Sequence, residues 1–380
     1  MYSWGSNGYG QLGDGTTTDR RVPTLMAAPA NSVWTSVAAG FGHTLALAAN
    51  GSLYTWGDNY YGQLGIGSTA ATLARRGIAS PVTGQRWTQA AAGYNFSLAL
   101  YSDGSLYTWG NNQDGQLGDG TTTARWSPVR IAPPLGYIWT QVAGGFWSSA
   151  ALCSDGSLYT WGNNSFGQLG DGTTTARLVP VRIAPPVGQR WLQVSVGYQH
   201  MLAVCSNGSL YAWGGNGYGL FSNGTNTHSR IPIQVAPPAG GQWVQVAAGH
   251  NHSLALASNG LVYTAGYNFS GELGDGTTRN QNCFVRTCNA LGVLPAAPTW
   301  SAEAFPNPFT EEINLLLHGP KQGPVSLALF DMLGKLIRTE TYKSTATGTI
   351  RLQGLPALPT GIYLLQIRAA QHSQLLRLSH

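Results

Sequence analysis

Trp109-Gly110-Asn111-Asn112-Gln113-Asp114-Gly115-Gln116-Leu117-Gly118-Asp119-Gly120-Thr121 decides the fold of this chain, because it returns almost unchanged from Trp161 to Thr173. Its Trp-Gly opening also stands at Trp4, Trp56 and Trp213, and Ala265-Gly266 continues the series with the Trp replaced. The successive intervals are 52, 53, 52, 52 and 52 residues. So constant a period means one supersecondary unit, copied and stacked, whose apolar faces are buried only against its neighbours. Residues present in every copy build the unit. Residues that differ at matched positions are where recognition can be encoded.

Four strand-like runs surround the loop in each unit. The first is Trp-x-x-Val-Ala-Ala-Gly, as in Trp34 to Gly40 and Trp243 to Gly249. The second, as in His43 to Leu47 and His252 to Leu256, joins the third, Ser-Leu-Tyr-Thr-Trp-Gly, through Asn50-Gly51, Asp103-Gly104, Asp155-Gly156, Asn207-Gly208 and Asn259-Gly260. Such dipeptides supply the positive φ angles of a two-residue hairpin. The fourth run is Pro-Val-Arg-Ile, as at Pro128 to Ile131. Short β-branched and aromatic runs between Gly, Asn and Asp turns favour strands. A four-stranded antiparallel unit repeated about every 52 residues is a β-propeller blade. The Asn of the loop is present in all six copies, from Asn7 to Asn268, and is expected to make an Asx turn or sit at positive φ.

These residues closely resemble the regulator of chromosome condensation repeat family, which carries this Trp-Gly-x-Asn-x-x-Gly-Gln-Leu-Gly loop with an Ala-Gly-x-x-His-Ser/Thr-Leu-Ala-Leu strand pair. The resemblance covers residues 1–290 and implies a propeller, seven-bladed in characterised members, which include a nuclear guanine-nucleotide exchange factor. Here the third and fourth runs occur about six times and the first two only five times. Orphan strands are therefore expected at Tyr2 and near Cys283 to Thr287. Five complete units plus fragments fall short of seven blades. With no signal peptide after Met1, this points to upstream sequence beyond Met1, a compact six-bladed ring being the alternative.

Composition divides the chain. All thirteen Trp lie at or before Trp300, and all three Lys (Lys321, Lys335, Lys343) lie after it. Residues 291–302, with Leu294-Pro295-Ala296-Ala297-Pro298-Thr299 at their centre, read as a linker. Beyond it, short alternating runs over residues 303–380 predict a small, immunoglobulin-like β-sandwich. Three motifs stand there in order: Pro306, Asn307, Pro308 and Phe309; then Asp331 and Gly334; then Pro359, Gly361 and Tyr363. Together they resemble a type IX secretion system C-terminal sorting domain (type A) of the Bacteroidota. That resemblance implies export, recognition by the secretion machinery and its sortase-like peptidase, and an end state released or attached to the outer-membrane surface. The motif residues are expected to be folding determinants. No stretch is apolar enough to span a membrane.

Charged residues are only 9%, against about 25% in a typical soluble protein, and the net charge is +5, which argues against a dedicated nucleic-acid binder. Cys153 and Cys205 share one repeat slot, so they substitute for small core residues, while Cys283 and Cys288 are close enough to bridge. The slot of His43, His200 and His252 also holds Phe96 and Ser148, which marks a packing position. Asp14, Asp119, Asp171 and Asp275 sit in the loop, where Asp bonds nearby N–H groups. Arg20, Arg76, Arg125, Arg177, Arg230 and Arg279 follow it and are expected as solvated arginines on outer strands. No acid/base pair, nucleophile elbow, phosphate loop or metal spacing stands out, and no cofactor is expected.

The aromatics carry the functional reading. In an antiparallel blade, the loop between runs one and two and the glycine loop between runs three and four share one face. The first set carries Phe41, Tyr94, Phe146, Trp147, Tyr198 and His250. The second carries Tyr9, Tyr60, Tyr61, Phe166, Tyr218 and Phe269. Aromatics on loops of a rigid scaffold are usual anchors of a binding surface. The expected protein is a non-catalytic, secreted or surface-attached propeller whose aromatic face takes an extracellular protein or glycan. The alternatives are an exchange-factor-like regulator of a GTPase and a hydrolase or lyase in the channel.

Overall fold

The structure is a computed structural model that describes residues 1–380 except 31, 81–83, 238–240, 288–300, 306–308, 310–311, 319–323, 332–335, 343–348, 354, 356–357, 360 and 370–371. Its contacts divide the chain into two compact units, Met1–Ala290 and Leu291–His380. Among the described residues every regular element is a β-strand.

The first unit is a β-propeller built from five four-stranded antiparallel meanders. The third of them orders Trp139–Gly144, Ser148–Cys153, Leu158–Gly162 and Arg177–Ile183 side by side, in chain order. The same order holds in the sheets that begin at Trp34, Trp87, Trp191 and Trp243. Tyr2–Gly5 and Arg20–Leu25 form a two-stranded sheet equivalent to strands three and four of a blade. Gln281–Arg286 is no orphan. It pairs with Val262–Gly266 as the fourth strand of the last complete blade, because the hairpin geometry that closes every other glycine loop closes this one too.

Burial follows position within the blade. First strands of successive blades touch one another, so they are innermost, and second strands pack on the next blade's first strand. Sandwiched on both faces, the second strands are buried at every position from His43 to Ala48, Phe96 to Tyr101, Ser148 to Cys153 and His200 to Cys205. This is why these runs read as nearly continuous small apolar residues. Fourth strands mix half-buried and exposed positions, as in Arg177–Ile183, where Ile183 alone is buried.

One recurrent link fastens each blade to the one before it. The indole Nε1 of Trp56 donates to the carbonyl of Gln11 at 2.9 Å. Trp109 bonds Gln63, Trp161 bonds Gln116 and Trp213 bonds Gln168, each also at 2.9 Å. Thr44, Ser97 and Ser149 add hydroxyl bonds to the first three of those carbonyls. A glycine must precede the indole: a Cβ on Gly118 (φ +78°) would lie 2.7 Å from the Trp161 Nε1. Where the fifth blade carries Ala265 instead of Trp, the matching glycine is replaced by Ser222, at φ 57° the one described non-glycine residue with positive φ. Phe221 fills the Leu position beside it and is fully buried.

The invariant Asn works differently from the expectation, holding the loop together from inside. Asn112 is buried; its Oδ1 accepts from the Leu117 N–H, and its Nδ2 donates to the carbonyls of Thr121 and Thr123 and to Asp119. The acceptance runs five residues forward, so it is not an Asx turn, and φ at Asn112 is not positive. Asn164 repeats every bond.

The second unit has two sheets. Ser301–Phe305, Glu312–His318 and Thr349–Gln353 make one; Leu336–Tyr342, Val325–Asp331, Ile362–Ala369 and His372–Ser379 make the other. Alternate residues of both, among them Ile313, Leu315, Leu327, Leu329, Leu352 and Leu365, form one core. Phe309 lies in that core, against Tyr363 and His380. The Tyr363 hydroxyl donates to the Pro359 carbonyl at 2.7 Å, and Gly361 and His380 exchange backbone bonds that tie down the last residue. Pro306, Asn307, Pro308 and Gly334 lie outside the described residues.

Candidate binding face

Backbone bonds place the two loop sets on one face. The residue after each Trp-Gly (or Ala-Gly) donates its N–H to the residue after each tip: Asp58 to Gly42, Asn111 to Asn95, Asn163 to Trp147, Gly215 to Gln199 and Tyr267 to Asn251. The stitch recurs because the second and third strands of each blade end in register there, as Ser148 opposite Gly162. Glycine loop and tip loop are thereby a double rim, held at the same height in all five blades.

Along the inner rim the tip rings touch from blade to blade. Phe41 and Tyr94 have centroids 4.4 Å apart, Tyr94 and Phe146 stack at 3.7 Å, Phe146 meets Tyr198 edge-on at 4.5 Å, and Tyr198 stacks on His250 at 4.2 Å. Trp147 packs on Phe146 and Tyr198. Approach this close is set by the backbone beneath: the N–H groups of Phe41, Tyr94 and Phe146 donate to Tyr94, Gly145 and Gly197 of the following blade. These rings and the ends of all five inner strands, such as Ala92-Gly93, Gly144-Gly145 and Val196-Gly197, line an open cavity of 520 Å³.

The outer rim holds the glycine-loop aromatics. Tyr60 meets Tyr61 edge-on at 4.9 Å, and Tyr9 lies 6.3 Å from Phe41. Tyr218, Tyr267 and Phe269 form a chain with 5.1 Å between successive centroids. Phe166 stands apart from these, against His228 at 5.7 Å. Tyr267 occupies the slot after Ala265-Gly266 where other blades have Asp58, Asn111 or Asn163. Sequence reasoning misses it because only the fold shows that slot to be on the rim.

The other candidate groups are spent on the scaffold. Burial pushes His43 down to about 4 and His200 down to about 3, and their Nε2 atoms meet Ser97 and Ser253 of the next blade at 2.9 and 3.0 Å. Three of the six arginines expected to be solvated are instead in ion pairs. Only Arg20, Arg125 and Arg177 share a register, and each pairs with its own loop carboxylate, Asp14, Asp119 or Asp171, at 2.5–2.6 Å. Thr72 and Ser229 hold that register where Ile66 and Asn223 replace the Asp, and in the last blade Gln281 holds it and donates to Asp275 at 3.0 Å in place of a guanidinium. Partial burial alone would raise the Asp14 carboxyl. Hydrogen bonds from Thr16 and Arg20 outweigh it and hold Asp14 at about 2. Cys283 carries a free, exposed thiol rather than a bridge, and Cys288 lies outside the described residues. Among the described residues no His, Cys, Asp and Glu side chains gather in a group that could hold a metal, and no helix is long and apolar enough to cross a membrane.

Comparison with known proteins agrees with this architecture. Residues 1–294 match the RCC1-like domain, and residues 303–378 match the secretion system C-terminal sorting domain. The ultraviolet-B receptor UVR8 of Arabidopsis thaliana is 34% identical over 293 residues, covering 77% of this chain and 66% of the receptor. Human E3 ubiquitin-protein ligase HERC2 is 32% identical over 282 residues, covering 73% of this chain and 6% of the ligase. The chain thus spans less than two thirds of the length of these curated relatives. Human WBSCR16 superposes with a TM-score of 0.69 at 24% identity, covering 76% of each chain. Prp20p of Saccharomyces cerevisiae superposes at 0.51 and 22%, covering 76% of this chain and 86% of its own. The C-terminal match marks the chain for export by the type IX system, to the medium or the outer-membrane surface. On the blades, the stitched glycine loops and the two family matches, this chain belongs to the RCC1-like domain family and ends in a secretion sorting domain.

Proposed function

We propose that the exported propeller is a non-catalytic binding protein whose aromatic double rim takes an extracellular protein or glycan. One observation carries the reading: a row of rings, Phe41, Tyr94, Phe146, Tyr198 and His250, runs unbroken across five blades on a single face. Rings on loops whose backbones are bonded to one another lose little freedom when a ligand arrives, which is what a preorganised surface requires. Tyr94, Phe146 and Tyr198 are half-buried, so their edges form a floor, and exposed rings such as Phe41 and Tyr60 flank it. The opposite face offers tight turns and Ala-Pro-Pro loops.

The non-catalytic part rests on the histidines and carboxylates. Buried, neutral imidazoles bonded to serines inside blade seams are poor acids and bases, and the loop aspartates are saturated by their own turns. The likeness to Prp20p is one of fold and carries neither Gsp1p nor histone binding over to an exported chain. The test is an array of extracellular proteins and glycans probed with the full chain and with Tyr94, Trp147, Tyr198 and His250 jointly replaced by Ala. Loss of specific signals at an unchanged melting temperature supports the face. Signals that survive the four replacements overturn it.

A further inference from the structure

Resting on the binding reading above, we infer that the ligand of this face is a neutral saccharide chain. Three properties of the rim point there together. The first is charge. The six glycine loops from Ser6–Gly13 to Tyr267–Gly274 and the five tip loops contain the carboxylates Asp58, Asp114 and Glu272 and not one Lys or Arg. An anionic glycan or nucleic acid is held by several guanidinium and ammonium groups, and these loop segments carry none. Arg20, Arg125 and Arg177 are paired with loop aspartates. Most other propeller arginines lie on fourth strands, and Arg86 and Arg190 precede first strands at the other end of the blades. That leaves Arg279, in the last loop beyond Gly274, as the one cation near this rim among the described residues.

The second property is the kind of polar group present. Asn95, Gln113, Asn163, Ser165, Gln199 and Asn251 project from the same loops as the rings. Amides offer a donor and an acceptor on one planar head, which suits the paired hydroxyls of a sugar. Asn163 already spans a blade seam by donating to Asp114 at 2.7 Å, so its position is fixed. The buried Oδ1 of Asn95, next to the tip ring of Tyr94, has no partner among the described residues.

The third is which ring faces are free. Tyr94, Phe146 and Tyr198 spend theirs on neighbours, whereas Tyr60 is 74% exposed, Phe269 66% and Tyr218 41%. Flat exposed rings accept the apolar C–H face of a pyranose, and the amides take its rim of hydroxyls. Arg and Met, the other usual anchors of protein interfaces, are missing from all eleven loops. The cavity of 520 Å³ at the centre falls within the roughly 300–1,000 Å³ of small-ligand sites, which leaves room for a chain end.

Affinity gel electrophoresis of the full chain tests this, with mixed-linkage β-glucan, xyloglucan, galactomannan and starch as neutral probes and alginate and polygalacturonate as acidic ones. Retardation is expected in at least one neutral gel and in neither acidic gel. It should be insensitive to 0.5 M salt and weakened about tenfold by Tyr60→Ala, Tyr218→Ala and Phe269→Ala combined, whose side chains are exposed enough to leave the fold intact. Leu135→Ala, on the opposite face and fully exposed, should change nothing. Retardation confined to acidic gels, or unaffected by the triple variant, overturns the inference. No retardation in any neutral gel overturns it too. If the four-residue tip variant still abolishes capture of a protein in that last case, the binding reading stands and only its saccharide form falls.

Discussion

The indole nitrogen of Trp161 donates to the carbonyl of Gln116, 2.9 Å away in the preceding blade, while its ring lies against Gly118. A residue that defines its own blade in the sequence therefore does its bonding in the blade before. Gly118 has no substitute there, since any Cβ would enter the indole and also demand a left-handed φ of +78°.

Gly118→Ala is accordingly expected to cost about 3 kcal/mol, as overpacking adds to backbone strain. Gly274→Ala is the control. Its φ is +61°, but nothing lies within 4 Å of the point where an added methyl would stand, so only the strain of about 1 kcal/mol applies. Urea midpoints of the two variants check this, and equal losses would contradict the packing account.

Asn112→Ala should destabilise by about 3 kcal/mol, because it leaves the Leu117 N–H and two carbonyls unpaired inside the loop. Arg125→Ala, which breaks a pair whose arginine side chain is 37% exposed, should cost no more than about 1 kcal/mol and less at high salt. Thermal melts at two ionic strengths distinguish the pair.

Acid should loosen the propeller through His43 and His200. Their folded values, about 4 and about 3, lie below the ordinary 6.5, so the unfolded chain takes up protons first. Stability is thus fully present above pH 6.5 and is lost as pH falls toward 4, by roughly 1.4 kcal/mol per unit for each histidine. His43→Phe, which copies the side chain that Phe96 places in the same slot, should flatten the profile between pH 6.5 and 4.5. An unaltered slope in urea titrations would remove His43 from the account.

In the sorting unit, Phe309→Ala should open a cavity beside Tyr363 and His380 and cost about 3–5 kcal/mol. The expected readout is retention in the cell, measured as the fraction of chain recovered outside. Normal export of a demonstrably unfolded tail would show that the machinery reads the motif rather than its fold.

Much of this is legible in the chain. Period, Asn-Gly turns and Trp-Gly loops give blades, strand order and the face that Tyr94, Trp147 and Tyr198 occupy, because hairpin topology follows from local signals. Contacts that span one repeat are not legible. Nothing in the spacing says that Tyr94 and Phe146 stack at 3.7 Å, since that distance depends on Gly93 and Gly145 letting two backbones meet. Arg76, Arg230 and Arg279 look equivalent to Arg125 by position. Only the register, in which Arg125 faces Gly110 and Thr72 faces Gly57, separates them. The Asn residues are recognisable as loop formers, but their five-residue reach depends on how the folded loop closes around them.

Where Ala265 stands, the fastening between the fourth and fifth blades has lost its indole and keeps the Ser253 hydroxyl on the Leu220 carbonyl. Gln193, bonded both ways to Val246, and the Ser195 hydroxyl, which accepts from the Ala248 N–H, take over at this joint, so its mechanical strength rests on side chains of the innermost strands rather than on an indole.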